Sequence, residues 1–274
     1  MTRTKHGIEY DRKFNAMYCS STKGRFVRMV SEAKRLSKKR SKKKRQEGPD
    51  NSHECTIVYN DLLQAWEALS HKCAYSGIPM STTVHADFLV SLERLNPQKG
   101  YTPLNCTLVC CEFNGGKQWS VAKVNVVKTF NSARRPVFSP PPLPNTRHTW
   151  KHADSGTFYN FVYKLYGAAK CNGKARDGTW PEFGIEWIVE QLVRQNGQCY
   201  YSGLPMVFVP KSEWQASLER IDPKIGYTKK NVVLICWEFN TGNAQWSREK
   251  IAYLRTVPPI HSEQTVLGKR ERED

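Results

Sequence analysis

The sequence predicts an α+β protein made of two tandem strand–strand–helix modules with flanking helices, joined by a proline-rich linker. Three observations carry this. A 42-residue stretch occurs twice at a constant offset of 126, as Cys73–Asn114 and Cys199–Asn240, with 20 positions identical and no gap. Within each copy, two short apolar runs flank a turn containing Pro and Gly, the pattern of a hairpin. Between the copies lies Ala133-Arg-Arg-Pro-Val-Phe-Ser-Pro-Pro-Pro-Leu-Pro144, a semi-rigid spacer. A repeat of this fidelity is a duplicated unit, so function is to be sought in what both copies keep.

The elements follow in order. Residues 1–48 form a basic amino-terminal arm: apolar positions 26, 27, 29, 30 and 33 have helical spacing, and the helix runs into Lys34–Arg45, where nine of twelve residues are cationic. Gly48-Pro49 stops it. Module 1 covers residues 55–132, the linker 133–149, module 2 with its own leading helix 150–260, and a charged tail 261–274. In module 1, Asn60 is expected to cap a helix whose Leu62, Leu63, Trp66 and Leu69 share one face. The counterpart carries Ile185, Ile188, Val189, Leu192 and Val193 and closes at Gly197. These stripes are core. Ser120 and Ser247 are expected to cap a last helix in each module, after Trp119 and Trp246, which read as core or as base-stacking residues.

Charge narrows the partner. A formal net charge of +17 points to a polyanion, because a positive surface gains affinity for nucleic acid by releasing condensed counterions. The cationic residues Lys34, Arg35, Lys38, Lys39, Arg40, Lys42, Lys43, Lys44 and Arg45, with Lys117, are the candidate phosphate contacts; the 34–45 run also suits a nuclear-import signal. Nine cysteines, an odd number of which only two positions recur per module, argue for reduced thiols and an intracellular compartment. No apolar run approaches the roughly 20 residues of a membrane span. Zinc is not expected, since two shared thiolates per module cannot close a four-coordinate site.

The chemistry sits in the repeat. Ser-Leu-Glu-Arg is a strand, Asn/Asp-Pro-x-x-Gly-Tyr a turn in which Gly is expected to take positive φ, and Asn105–Cys110 or Asn231–Cys236 the returning strand. Glu-Phe-Asn then opens a helix, setting an acidic residue of the first strand (Glu93, Glu219) opposite a helix asparagine (Asn114, Asn240). This order resembles the HNH nucleases of the ββα-metal (His-Me finger) superfamily, in particular the phage-type subset with Cys-x-x-Thr/Ser-Gly-x-Pro, Ser-Leu-Asp-Arg, Gly-Tyr-Thr-x-x-Asn and Cys-x-x-x-Asn-x-x-Lys.

That resemblance implies a metal-dependent DNA endonuclease acting on double-stranded DNA. It makes Glu93, Asn114, Glu219 and Asn240 ligands to Mg²⁺ or Mn²⁺, one ion per module, and Asn105 and Asn231 braces of the hairpin loop. Three departures bear on activity. The general-base histidine of the full motif is replaced by Arg94 and Arg220, which stay protonated and suit a phosphate clamp instead. The base is then a shared group such as Tyr101 and Tyr227, or a hydroxide generated at the metal. Glu replaces Asp as ligand, and Asn243 stands in copy 2 where copy 1 has Lys117, so copy 1 lies closer to the active pattern. The two modules imply a monomeric pseudo-dimer. The competing readings are a DNA-binding or architectural protein that kept the fold without catalysis, and an RNA-binding or processing factor.

Overall fold

Each repeated stretch folds around a two-stranded antiparallel hairpin. β1 (Val90–Arg94) pairs with β2 (Cys106–Cys110) so that Ser91 faces Val109 and Glu93 faces Thr107. β3 (Ala216–Arg220) pairs with β4 (Val232–Cys236) in the same register, Ser217 opposite Ile235 and Glu219 opposite Val233. Side chains alternate along a strand, so the serine and the glutamate of each Ser-Leu-Glu-Arg share one face. The returning strands are buried at every position. The computed structural model describes residues 17–44, 54–115, 119–131, 137–142, 157–240 and 245–260. Arg45, Lys117 and Asn243 lie outside them, as does the tail 261–274.

The remaining elements are helical, which makes the fold mixed α+β. In chain order they are α1 (Thr22–Lys44), α2 (Tyr59–Ala68), α3 (Val121–Thr129), α4 (Phe158–Asp177), α5 (Ile185–Arg194) and α6 (Arg248–Thr256). The chain divides into unit 1, Met1–Asn125 with Val257–Asp274, and unit 2, Val126–Thr256. The division falls inside α3. The returning end is tied to unit 1 by Asn125, whose side chain donates to the Ile260 carbonyl (2.8 Å) and accepts from its N–H (3.2 Å). No helix among the described residues is long and apolar enough to cross a membrane.

In unit 1, α1 buries Phe26, Met29, Val30, Ala33 and Ser37, a stripe at helical spacing, and leaves Lys34, Arg35, Lys38 and Lys39 exposed. The Phe26 ring meets Trp66 of α2 edge-on at 5.7 Å. Trp119 lies edge-on to Phe113 at 5.2 Å, and Trp246 repeats the contact with Phe239 at 5.3 Å. Both tryptophans are core side chains, 2% and 1% exposed, which excludes the base-stacking alternative for them. In unit 2, Phe183 stacks on Trp187 of α5 at 4.3 Å, over a core of Ile188, Leu192, Leu204 and Leu234.

Several local expectations are corrected. α2 begins at Tyr59 rather than after Asn60, because the Asp61 carboxylate reaches back to the Val58 N–H (2.9 Å) and starts the helix earlier. Val193 is 46% exposed, and the buried side chain absent from the expected stripe is Trp187. Gly100 and Gly226 do not take positive φ; among the described residues the glycines that do are Gly77, Gly178, Gly197 and Gly203. Gly100 is required by a close approach instead: a Cβ there would lie 2.0 Å from the Glu54 carbonyl oxygen. Glu-Phe-Asn does not open an α-helix. Cys111–Phe113 and Trp237–Phe239 are single 3₁₀ turns, and the α-helices start only at Val121 and Arg248. Gly115-Gly116 and Thr241-Gly242 follow the asparagines, and glycine costs a helix interior about 1 kcal/mol per residue. Ser120 and Ser247 do cap those helices, accepting from Lys123 and Lys250 N–H at 3.2 Å each.

Candidate functional site

The motif preceding β1 and β3 is a tight turn. Cys73 N–H bonds to the Ile78 carbonyl and Gly77 N–H to that of Cys73, both at 2.8 Å, with Gly77 at φ +69; Cys199, Leu204 and Gly203 repeat this with φ +68. Only glycine adopts that conformation without steric cost. Ala74 and Tyr200 N–H then bond to the Leu108 and Leu234 carbonyls, fastening the turn to the returning strand.

The asparagine that follows the hairpin clasps the Ser-Leu of Ser-Leu-Glu-Arg. Asn114 Nδ2 donates to Ser91 Oγ (2.7 Å) and to the Leu92 carbonyl (2.9 Å). Asn240 repeats both donations, to Ser217 Oγ and the Leu218 carbonyl, at 2.8 Å each. The two donations fix the flip of each amide, turning Oδ1 away from those acceptors. Glu93 and Glu219 project from the same strand face as the serines that the amides clasp, and Glu219 and Asn240 line one cleft.

Glu93 and Glu219 are half-buried, and burial pushes each carboxyl up to about 7, with the Arg94 charge pulling Glu93 partly back. Among the described residues neither carboxylate accepts a hydrogen bond or joins an ion pair. A desolvated carboxyl without a partner is costly, and groups perturbed in this way cluster at functional sites. The neighbouring phenols are Tyr75 and Tyr201, whose hydroxyls are driven up by burial and then by the glutamate charge, Tyr201 to about 12. They stay protonated near neutral pH.

Arg94 and Arg220 are turn braces. Arg94 Nη1 donates to the Pro97 (2.6 Å) and Lys99 (2.9 Å) carbonyls, and Arg220 Nη1 to those of Pro223 (2.6 Å) and Ile225 (3.3 Å). Each guanidinium also lies over a tyrosine ring, Tyr101 at 5.1 Å and Tyr227 at 5.4 Å, with Arg40 of α1 a further 5.6 Å from Tyr101. Tyr101 is buried, and Tyr227 accepts from Asn172 of α4 at 3.5 Å. The middle asparagines close the same turn. Asn105 accepts from Asn96 N–H (3.0 Å) and donates to the Asn96 (3.0 Å) and Gly100 (2.8 Å) carbonyls. Asn231 does the same with Asp222 (2.9 and 3.0 Å) and Gly226 (3.1 Å).

Of the basic candidates, Lys34, Arg35, Lys38 and Lys39 line the exposed side of α1, with Arg35 paired to Glu32, while Lys42, Lys43 and Lys44 end that helix. His85 and Lys211, which occupy the same position of the two copies, both sit exposed in left-handed turns (φ 67 and 65).

Sequence reasoning missed two shared positions. Ser91 and Ser217 set the asparagine. Glu112 and Glu238, fully buried, accept the Phe88 and Trp214 N–H at 3.0 Å and so hold the left-handed residues (φ 56 each) that lead into β1 and β3. Identity between the copies was the signal available for all four.

In unit 2 the strand β3 borders a cleft of about 590 Å³. Ser217, Glu219, Arg220, Tyr227 and Asn240 form one side, and α4 faces them with Phe161, Lys164 and Leu165. Lys164 and Trp237, also in the lining, were not anticipated from the sequence.

Among the described residues no three His, Cys, Asp or Glu side chains gather to hold a metal. All nine cysteines are free thiols, and burial drives Cys110 and Cys236 up, so they remain protonated core groups beside Cys73 and Cys199. The glutamate–asparagine pair offers two hard oxygen donors, a set that fits Mg²⁺ or Mn²⁺ retaining several waters. The chain matches no protein-family model, no curated protein and no solved structure.

Proposed function

We propose that this chain is a metal-dependent DNA endonuclease built from two modules of the ββα-metal (HNH) type. One observation carries the reading: a half-buried carboxyl, without a partner among the described residues, shares a strand face with a serine gripped by a clamped amide, and the arrangement is built twice. Glu93 with Asn114, and Glu219 with Asn240, would hold the ion. When bound, a divalent cation offsets the charge of a phosphodiester and stabilises its leaving oxygen. Ser91 and Ser217 orient the amides, Arg94, Arg220, Asn105 and Asn231 keep the hairpin rigid, and the cationic face of α1 supplies sequence-independent attraction to phosphates.

One observation favours a second reading, a nucleic-acid-binding protein that has kept the fold without cleavage. Both arginines at the position of the general base are committed to turn carbonyls, and the phenols beside the glutamates are held protonated. Nicking of supercoiled plasmid decides between them. Wild type should nick with Mg²⁺ or Mn²⁺ and not with EDTA, and Glu93→Ala combined with Glu219→Ala should lose at least about a hundredfold, the upper range seen for disturbing even outer-shell partners of a metal. Intact DNA binding without metal-dependent nicking by wild type would establish the second reading.

A further inference from the structure

The unit 2 cleft is larger and less polar than a phosphate and an ion require. At about 590 Å³ it lies within the size range of pockets that enclose whole small molecules. Its lining mixes chemistries: Glu219, Arg220 and Asn240 on the strand side, the exposed Lys164 beside Leu165 on α4, and the indole of Trp237, 36% exposed. A cation next to an exposed indole is the complement of a single nucleotide, the one meeting its phosphate and the other its base. In duplex DNA the base is stacked and cannot enter a cleft, so the base must be unpaired or extruded.

Unit 1 differs at this place. The residue aligned with Trp237 is Cys111, 8% exposed, and Arg25 of α1 lies against it, Nη2 reaching Sγ at 3.9 Å and the Val90 carbonyl at 2.6 Å. The exposed indole of Trp237 therefore has no aromatic counterpart at the aligned position of unit 1.

We infer that the unit 2 cleft takes an unpaired nucleotide, stacking its base on Trp237 and meeting its phosphate with Lys164. The substrate class is then nucleic acid with a single-stranded or bulged position rather than uniform duplex. This rests on the nucleic-acid reading above but not on cleavage, so it is tested in EDTA with full-length protein. Oligonucleotides carrying 2-aminopurine are offered as single-stranded DNA, single-stranded RNA, a duplex with a one-nucleotide bulge and a perfect duplex. Binding is followed by anisotropy and stacking by quenching of the probe.

Wild type should bind at least one single strand and the bulge more tightly than the perfect duplex, and quench the probe there. Trp237→Ala should weaken those arms roughly tenfold and abolish the quenching, leaving the perfect duplex within about twofold, while Trp237→Phe keeps both signals. Equal binding of bulged and perfect duplex, or quenching that survives Trp237→Ala, overturns the inference. Absence of binding in every arm overturns the nucleic-acid reading with it, whereas failure to nick with Mg²⁺ touches only the endonuclease reading.

Discussion

Units 1 and 2 carry the same clasp in different surroundings. The Asn–Ser and Asn–Leu carbonyl bonds agree within 0.1 Å between them (2.7 and 2.9 Å against 2.8 and 2.8 Å). The arginine brace, the middle-asparagine brace and the buried glutamate beneath the left-handed residue are also repeated. What changes is the leading helix. In unit 1, α1 lays Arg25 against Val90 and Cys111 and turns a cationic face outward; in unit 2, α4 faces the strand across a cleft. A motif closed by bonds within its own 42 residues thus survives duplication unchanged, while access to it is set by the helix packed against it and is free to diverge.

The likeness of the two units can be challenged first at the core. Trp119→Ala and Trp246→Ala should each cost about 3–5 kcal/mol in urea titrations, because each empties a buried indole site that its unit cannot refill. Unequal losses would mean that the two cores, alike in sequence, are not alike in packing. A subtler change tests the clasp. Ser91→Ala and Ser217→Ala keep the strand and remove one acceptor of the amide, so metal-dependent nicking should fall about tenfold, as for other partners that orient a ligand. A loss from Ser91→Ala alone would assign activity to unit 1, and from Ser217→Ala alone to unit 2.

The smallest effect is one of pH. Both glutamates are raised by burial to about 7, from an ordinary value near 4.3. The folded state thus binds these protons more tightly than the unfolded chain. Their contribution to stability is complete below about pH 4.3 and is lost as pH rises through 7. The metal-free protein should therefore have a urea midpoint that falls between about pH 5 and 8, and Glu93→Gln with Glu219→Gln should flatten that fall. A wild-type slope matching that of the double variant would mean that the two carboxyls are not desolvated.

Much of this architecture is legible in the amino-acid sequence. The hairpin, the caps Ser120 and Ser247, the α1 stripe and the tryptophan cores follow from spacing and residue type, because turns, caps and amphipathic faces are decided by neighbours within about ten residues. The shared serine is visible as an identity but has no assignable task there, since its partner lies 23 residues away in sequence. The role of Gly100 is likewise hidden, for the segment that excludes a Cβ there arrives from Glu54.

The chain's sequence alone therefore settles that there are two copies, where each hairpin turns, and which carboxyl and amide side chains each copy retains. Packing in three dimensions settles the rest: each asparagine is clasped to a serine 23 residues back, Gly100 meets the Glu54 carbonyl, and Trp237 opens into a cleft while Cys111 lies under Arg25. Range separates the two sets. The first depends on torsions and contacts that a short segment fixes alone, and the second on which distant surface is buried against it.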